Sequence, residues 1–386
     1  MNIVMTDNKI MRLSVQSFVR KTRRIMLIII SMLLACILIL VGVLQFWSYP
    51  GKPIPFLDEN GSPLAGSISE KIHVNINYVE QGMFIKSKDA TNPVLLYLHG
   101  GMPDYFLTER YPTGFENDFT VVWWEQRGSG LSYSADIPPE TMTLEQMISD
   151  TLEVTNYLRH RFGKEKIYLM GHSGGTFIGI QAAARAPELY YAYIGVAQMS
   201  YQLKSERLAY EYMLQQFKEN GNTQMVQKLE AAPVTMTDGM PHAYLVVRDP
   251  AMHSLGVGTT RDMNSIITGL FLPSLQSPDY TLSEKVNTWR GKAVSGVALL
   301  WDEMLTTDLS KEVTELELPV YFFSGIYDYT VNYDLSKDYF EKIQAPVKGF
   351  YTFEQSAHSP IFEEPEKSQK ILQEDVLAGA NNLADP

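Results

Sequence analysis

Cysteine and basic side chains are scarce in this sequence of 386 residues. The single cysteine, Cys36, excludes an internal disulfide and any metal site built from several thiolates. Acidic residues number 44 against 32 basic ones, and the resulting net charge of -12 would repel a nucleic-acid backbone. The composition therefore predicts no nucleic-acid partner. Because 45% of the residues are hydrophobic, the chain can bury one large core, from which its stability must come.

Charge is absent from one stretch near the N-terminus, residues 25–44, which reads IMLIIISMLLACILILVGVL. A helix of this length spans about 30 Å, which is the thickness of the hydrocarbon layer of a membrane. Basic residues precede the stretch, and Trp47 and Tyr49 follow it as candidate interfacial aromatics. The pattern predicts a cytoplasmic basic tail over 1–24, a single-pass membrane anchor over 25–47, and an extracytoplasmic remainder.

Two alternatives for this stretch stay open. One is a cleaved signal peptide. The other is a lipoprotein signal, since the residues from Leu33 to Cys36 resemble a lipidation box. A matured lipoprotein normally turns polar directly after its cysteine, whereas ILILVGVLQFW follows Cys36 here. The anchor is therefore the favoured interpretation of the stretch.

The rest of the chain divides by pattern into a linker, a core and an insertion. Residues 48–69 are rich in Pro, Gly and Ser and are interpreted as a linker. Over 70–200 and again over 315–386, runs typical of buried strands alternate with helical patterns, which predicts a mostly parallel sheet with helices on both faces. Between them, residues 201–314 contain helical segments interrupted by Pro and Gly, which predicts an inserted helical cap.

The pattern Gly171-His172-Ser173-Gly174-Gly175 lies directly after a predicted strand, IYLM, and directly before a predicted helix. In that context a serine sits on a sharp strand-to-helix turn, and the N-terminus of the following helix stabilises negative charge. Taken alone, the pattern also fits a glycine-rich loop that starts a helix. Its position favours Ser173 as a nucleophile.

A serine hydroxyl needs a base, and that base needs a third group to orient it. His358 is the only histidine downstream of Asp328, and each follows one of the last two predicted strands. Asp302 and Asp338 compete for the acidic role, but their surroundings are typical of solvated helix faces. We therefore expect Asp328 to orient His358 and His358 to act as the general base.

Backbone amides are the expected donors to the oxyanion that forms in acyl transfer. His99-Gly100-Gly101 follows the predicted strand PVLLYL, where an oxyanion loop would lie, although a simple strand-end turn is the alternative. We expect the amides of Gly101 and Gly174 to be the two donors. The remaining histidines, His172 among them, are interpreted as packing or surface residues.

These motifs, together with WEQRGSGLS at 124–132, resemble the proline iminopeptidase family of α/β-hydrolases. The resemblance covers about residues 75–200 and 315–375. It implies an α/β-hydrolase fold with a cap, an acyl-enzyme at Ser173, a short-peptide substrate, and neither a metal nor an organic cofactor. The sequence departs from the family pattern at two places: Glu125 replaces an aspartate, a change expected to keep the charge, and HGGMP replaces HGGPG.

The site for the substrate amine does not transfer residue by residue from that family. Four cap acids are candidates, with a solvated helix face as the alternative for each: Glu206, Glu211, Asp302 and Glu303. Arg127 is expected to brace loops rather than to contact substrate. A carboxylesterase or lipase acting on small or membrane-derived acyl esters is the second functional hypothesis, and a noncatalytic binding module is the third.

Overall fold

The computed structural model describes the backbone of residues 3–386 and the side chains of Phe18 and of residues 20–386. Met1, Asn2 and the Arg12 side chain, which belong to the predicted basic tail, lie outside this description. The strands are β1 Ile68–Ile76, β2 Val79–Ser87, β3 Val94–Leu98, β4 Thr120–Trp124, β5 Ile167–His172, β6 Tyr190–Val196, β7 Val320–Gly325 and β8 Lys348–Phe353. The helices are α1 Ile3–Trp47, α2 Leu144–Phe162, α3 Gly174–Arg185, α4 Gln202–Glu219, α5 Thr223–Glu230, α6 His242–Ser254, α7 Leu272–Gln276, α8 Leu282–Gly291, α9 Gly296–Leu299, α10 Trp301–Thr306, α11 Leu309–Glu312, α12 Tyr333–Lys342, α13 Pro360–Glu363 and α14 Pro365–Ile371, with π-helical turns at Ile267–Phe271 and Leu372–Val376.

Within residues 3–386 the eight strands form one sheet in the order β1-β2-β4-β3-β5-β6-β7-β8. Strand β2 pairs antiparallel with β1 and β4, and all pairs from β4 through β8 are parallel. This confirms the predicted mostly parallel α/β sheet. Alternate residues of β3 enter different apolar clusters, with Leu96 and Leu98 on one face and Leu95 and Tyr97 on the other. Both faces are therefore covered, as continuous apolar runs require.

The parallel strands bring four loops to one edge of the sheet. The loops after β3, β5, β7 and β8 all leave the carboxyl ends of neighbouring parallel strands. Strand order also reverses between β3 and β5, because the chain runs outward to β4 on one side and to β8 on the other. Ligands of open α/β sheets bind at such a reversal. The topology thus places the site at this edge.

Helices α4 to α11 lie between β6 and β7 in the chain, in the region expected to form the cap. Part of this region has an apolar cluster of its own, in which Met213, Tyr244 and Met252 are fully buried. Part of the region therefore packs around an apolar cluster separate from those of the sheet. The boundaries of the cap as a domain, 201–314, stay a prediction.

Among the described side chains, Arg20–Trp47 is the one helical segment long and apolar enough to cross a membrane, with a mean hydropathy of 3.3 and none of that window buried. Residues 48–69, expected to be a linker, contact the body at several points, and the last two of them belong to β1. The Gly51 amide donates to the Pro278 carbonyl at 2.9 Å, and Lys71 Nζ donates to the Gly51 carbonyl at 2.7 Å. The end of α1 is therefore held close to the body that contains the sheet.

Candidate active site

Ser173 occupies the turn between β5 and α3 in a backbone conformation that non-glycine residues seldom adopt, with φ 54° and ψ -124°. Such a conformation persists only where the surrounding structure imposes it. Two hydrogen bonds do so: the Ser173 amide donates to the Val196 carbonyl at 3.0 Å, and the Thr176 amide donates to the Ser173 carbonyl at 2.8 Å. The turn directs the serine side chain into a large cavity.

Three glycines allow the backbone around Ser173 to pack this closely. A Cβ on Gly100 would lie 2.8 Å from Ser173 Cβ, and one on Gly175 would lie 2.2 Å from the Leu98 carbonyl oxygen. A Cβ on Gly171 would lie 2.7 Å from the Gly175 carbonyl oxygen. Side chains at these positions would displace the turn, so the glycines set the distance between Ser173 and the loop after β3.

His358 and Asp328 lie in the loops after β8 and β7 and form a buried pair. His358 Nδ1–H donates to Asp328 Oδ2 at 2.9 Å. Asp328 Oδ1 accepts the amides of Thr330 and Val331, each at 2.9 Å, which fixes the carboxylate. Burial lowers the pKa of His358, and the Asp328 charge offsets part of that effect. A neutral ring that donates through Nδ1 carries its free lone pair on Nε2, which suits a general base.

The loop after β3 is held by Gln126, which follows β4. The Gln126 amide donates to His99 Nε2 at 3.1 Å, and the Gln126 side-chain amide donates to the His99 carbonyl at 2.7 Å. Because Nε2 accepts, His99 donates through Nδ1 to the Gly100 carbonyl at 2.8 Å. Burial lowers the pKa of His99 to about 4, so the ring stays neutral. The segment at 124–132 thus positions the candidate oxyanion loop.

The two amides expected to bind an oxyanion lie at the same cavity. Gly101, Gly174 and Ser173 all line it. Gly174 is the first residue of α3, where an amide has no acceptor within the helix. Among residues 3–386, neither the Gly101 nor the Gly174 amide donates to a backbone carbonyl. Both donors are therefore available, and their role as an oxyanion hole stays a prediction.

A second polar pair, absent from the sequence-based site, joins the serine turn to the His358 loop. His172 Nε2–H donates to the His358 carbonyl at 2.9 Å, and His172 Nδ1 faces Asp104 Oδ2 at 3.3 Å. Tyr97 donates to the same Asp104 oxygen at 2.6 Å. Burial alone would lower the pKa of His172, but its bond to Asp104 raises it overall. His172 is thus more than a packing residue, and no motif signals its partner Asp104.

The segment at 124–132 also contains two buried ionisable side chains that do not line the cavity. Arg127 forms a bidentate pair with Asp150, with Nε–Oδ2 at 2.6 Å and Nη2–Oδ1 at 2.9 Å, which suits the expected bracing role. Glu125 accepts hydrogen bonds from the Tyr280 hydroxyl and the Leu131 amide. Burial raises the pKa of Glu125 to about 8. Burial thus favours the protonated form of Glu125, which departs from the expectation that Glu125 keeps the charge of the family aspartate.

The cavity has a volume of about 680 Å³ and lies between the sheet edge and the cap. Much of its wall is apolar: Met199, Leu245, Met252, Ile266, Leu270 and Val297. Charged cap residues also reach it, notably Arg248 and Asp249. Among the described side chains, no group of three or more His, Cys, Asp or Glu residues is placed to hold a metal ion.

The acids considered for the substrate amine divide into one buried and three exposed residues. Glu206 is fully buried and forms a bidentate pair with Arg248, with Oε1–Nη2 at 2.6 Å and Oε2–Nε at 2.7 Å, so a solvated-face interpretation is wrong for it. Glu211, Asp302 and Glu303 are exposed, as that interpretation expects. None of the four lines the cavity. The carboxylates that do line it are Asp104 and Asp249.

With this geometry established, comparison with known proteins identifies the family. Residues 93–365 match the model of the alpha/beta hydrolase fold family, and the chain belongs to that family of enzymes. It is 32% identical over 307 residues to the probable aminopeptidase YbaC of Bacillus subtilis (strain 168), a match that covers 78% of this chain and 95% of YbaC.

Solved structures share the fold at low sequence identity. A proline iminopeptidase-related protein of Thermus thermophilus is 18% identical with a TM-score of 0.52, and covers 81% of this chain and 98% of its own. The proline iminopeptidase of Mycobacterium smegmatis is 13% identical with a TM-score of 0.56, and covers 80% and 98%. Members or relatives of the proline iminopeptidase family, which the sequence motifs resemble, are thus among the solved structures that share this fold. At 18% and 13% identity the similarity shows the fold alone.

Replacement of Glu125 by Gln is expected to change how stability depends on pH. The unfolded chain loses the Glu125 proton near the ordinary glutamate pKa, whereas the folded chain keeps it up to about pH 8. Between these values the folded state binds more protons, so wild-type stability should fall relative to Glu125→Gln as pH rises, by at most about 1.4 kcal/mol per pH unit. Thermal unfolding midpoints across this range measure the difference.

The matched control is Glu188→Gln, because Glu188 is exposed. Its difference from wild type should stay constant with pH. A Glu125→Gln difference that is equally flat would contradict the assignment of a buried, protonated Glu125.

Proposed function

We propose that this protein is a membrane-anchored serine aminopeptidase that releases the N-terminal residue of short peptides through an acyl-enzyme at Ser173. The observation that carries the proposal is the convergence of the strained Ser173 turn and the buried Asp328–His358 pair at one cavity. These are the parts that acyl transfer to a serine requires.

In the proposed reaction, Ser173 Oγ attacks the carbonyl carbon of the first peptide bond while His358 Nε2 takes the hydroxyl proton. The amides of Gly101 and Gly174 stabilise the oxyanion that forms. His358 then gives the proton to the leaving amine, and water activated by the same ring releases the acyl group. Asp328 holds the ring in the tautomer that these steps need.

Two findings support a peptide substrate with a free amine. The relative YbaC is described as a probable aminopeptidase, and proline iminopeptidases share the fold. In addition, Asp249 lines the cavity, and its side chain, which carries the carboxylate, is 40% exposed. Burial alone would raise the pKa of Asp249, but Arg248 and Lys292 lower it overall, so the group is ionised. We assign Asp249, whose Oδ1 also accepts from Arg248 Nη1 at 2.8 Å, as the counter-charge of the substrate ammonium.

The localisation is proposed from the N-terminal helix. Its apolar residues are exposed over a length that spans a bilayer, and its basic flank is expected on the cytoplasmic side. The catalytic core, 70–200 and 315–386, and the cap, 201–314, would then lie outside the cytoplasm. A signal sequence has the same composition, so the mature N-terminus decides between the two.

An esterase or lipase is the second candidate, favoured by the apolar wall of the cavity. Leu245, Met252 and Leu270 would accept an acyl chain without an amine. The same serine chemistry would operate on an ester. The substrate amine is therefore the feature that separates the two candidates.

Aminoacyl p-nitroanilides with a free amine should be hydrolysed with a higher kcat/KM than their N-acetylated counterparts. The reason is that only the free amine forms an ion pair in the cavity. Assays of the full chain in detergent, with p-nitrophenyl acyl esters in parallel, measure the preference. Equal turnover of acetylated substrates, with esters preferred, would favour the esterase, and turnover of none by folded protein would favour a binding module.

Asp249→Asn should lower kcat/KM for free-amine substrates by roughly 10- to 100-fold, because a charge-assisted hydrogen bond is lost. Its turnover of acyl esters should change little. Asp302→Asn is the matched control, since Asp302 is exposed and does not line the cavity. An equal loss on both substrate types, or no loss at all, would refute the assignment of Asp249.

A further inference from the structure

The end of helix α1 is fixed to the cap region by one buried ammonium group. Lys285 is 1% exposed, and its Nζ donates to the Trp47 carbonyl at 3.1 Å and to the Leu275 carbonyl at 2.7 Å. Trp47 ends α1, and Leu275 belongs to α7. The two helices contact each other there. The cap region beside α7 therefore has a defined position relative to the end of α1, unlike a domain on a loose tether.

The segment that leads into α7 carries no charge. Between Asp262 and Asp279 the sequence reads MNSIITGLFLPSLQSP, although 20% of the whole chain is charged. Part of this segment is exposed: Ile267 is 63% exposed, Phe271 38% and Leu272 37%. We name these three residues the apolar strip. Single exposed apolar residues are ordinary, but a group of them in a charge-free surface segment marks an interaction site.

The apolar strip lies close to the end of α1, because Leu272 begins α7 and α7 contacts α1. Where α1 meets the body, Leu44 and Trp47 are partly covered, whereas Phe46 remains 78% exposed and the following Tyr49 is 79% exposed. Aromatic residues at the end of a spanning helix lie at the level of the lipid headgroups. Because α7 contacts this end of α1, the apolar strip lies beside residues expected at the membrane interface.

We propose that the apolar strip, Ile267, Phe271 and Leu272, is a second membrane-contact surface that rests in the interfacial layer of the outer leaflet. The proposal rests on the membrane anchor stated under the proposed function. The occupant is a lipid bilayer, since the contact between α7 and α1 places the strip next to the spanning helix, and the segment that contains the strip has no charged side chain to desolvate.

Other residues of the same segment face the catalytic cavity. Ile266 and Leu270 line that cavity, and each adjoins a residue of the strip in sequence. One short segment thus separates the membrane interface from the cavity that contains Ser173. This arrangement favours substrates with an apolar part that concentrate at the membrane surface, whether the scissile bond is an amide or an ester.

Site-directed spin labelling of the full chain in phosphatidylcholine–phosphatidylglycerol vesicles tests the proposal. Cys36→Ser removes the single native thiol, and Ile267→Cys or Leu272→Cys then carries the label. Two control labels give the limits: Leu38→Cys, 71% exposed within α1, and Tyr78→Cys, 97% exposed between β1 and β2. Only variants that keep the wild-type thermal unfolding midpoint are compared, which excludes misfolded protein.

The measured quantity is the ratio of each label's collision rate with oxygen, which dissolves in lipid, to its collision rate with a water-soluble nickel chelate. For the Ile267 and Leu272 labels this ratio should be shifted from the Tyr78 value toward the Leu38 value. A ratio equal to that of Tyr78, with Leu38 in lipid, would overturn the membrane contact and leave the anchor in place. If the Leu38 label is itself exposed to water, both the membrane anchor and the membrane contact of the apolar strip are refuted. The hydrolase activity is measured separately and does not depend on either result.

Discussion

The left-handed backbone of Ser173 is the constraint on which the candidate site depends. It places the side chain above the edge of the sheet, and it exists because glycine at positions 100, 171 and 175 leaves room for backbone to pass where a Cβ would collide. The turn is therefore built by β3 and its loop as much as by β5. Parallel pairing then brings the loops after β7 and β8 to the same edge, so sheet topology and one strained residue together define where chemistry occurs.

Buried polar contacts hold these loops in register. His172 links the serine turn to the backbone of the His358 loop, and Gln126 holds His99 in the loop after β3. Arg127, in the segment that also contains Gln126, pairs with Asp150. In a medium of low dielectric constant such contacts are directional, and each is costly to break on one side only. The neutral state of His358 follows from the same burial, which is why a base and its orienting carboxylate can lie side by side without a permanent charge on the ring.

The sequence was sufficient to predict the fold and the convergence of Ser173, Asp328 and His358 at one edge of the sheet, because short-range patterns report strands, helices and the serine turn. It did not predict the contacts that depend on the tertiary arrangement. Glu206 lies in a helical pattern that suits a solvated face, yet Arg248, far along the chain, buries it. Likewise, burial in the surrounding core raises the pKa of Glu125, and the hydrogen bond from the distant Tyr280 hydroxyl offsets only part of that effect. Burial of charge is set by distant residues, which no local motif records.

The central claim, that Ser173 is the nucleophile, is tested most directly by mass spectrometry of the full chain after reaction with a fluorophosphonate. The account predicts one phosphonyl group per chain, located on the peptide that contains Ser173, and none on Ser173→Ala that retains the wild-type unfolding midpoint. Folded wild-type protein that stays unmodified, or that carries the group on another residue, would contradict it.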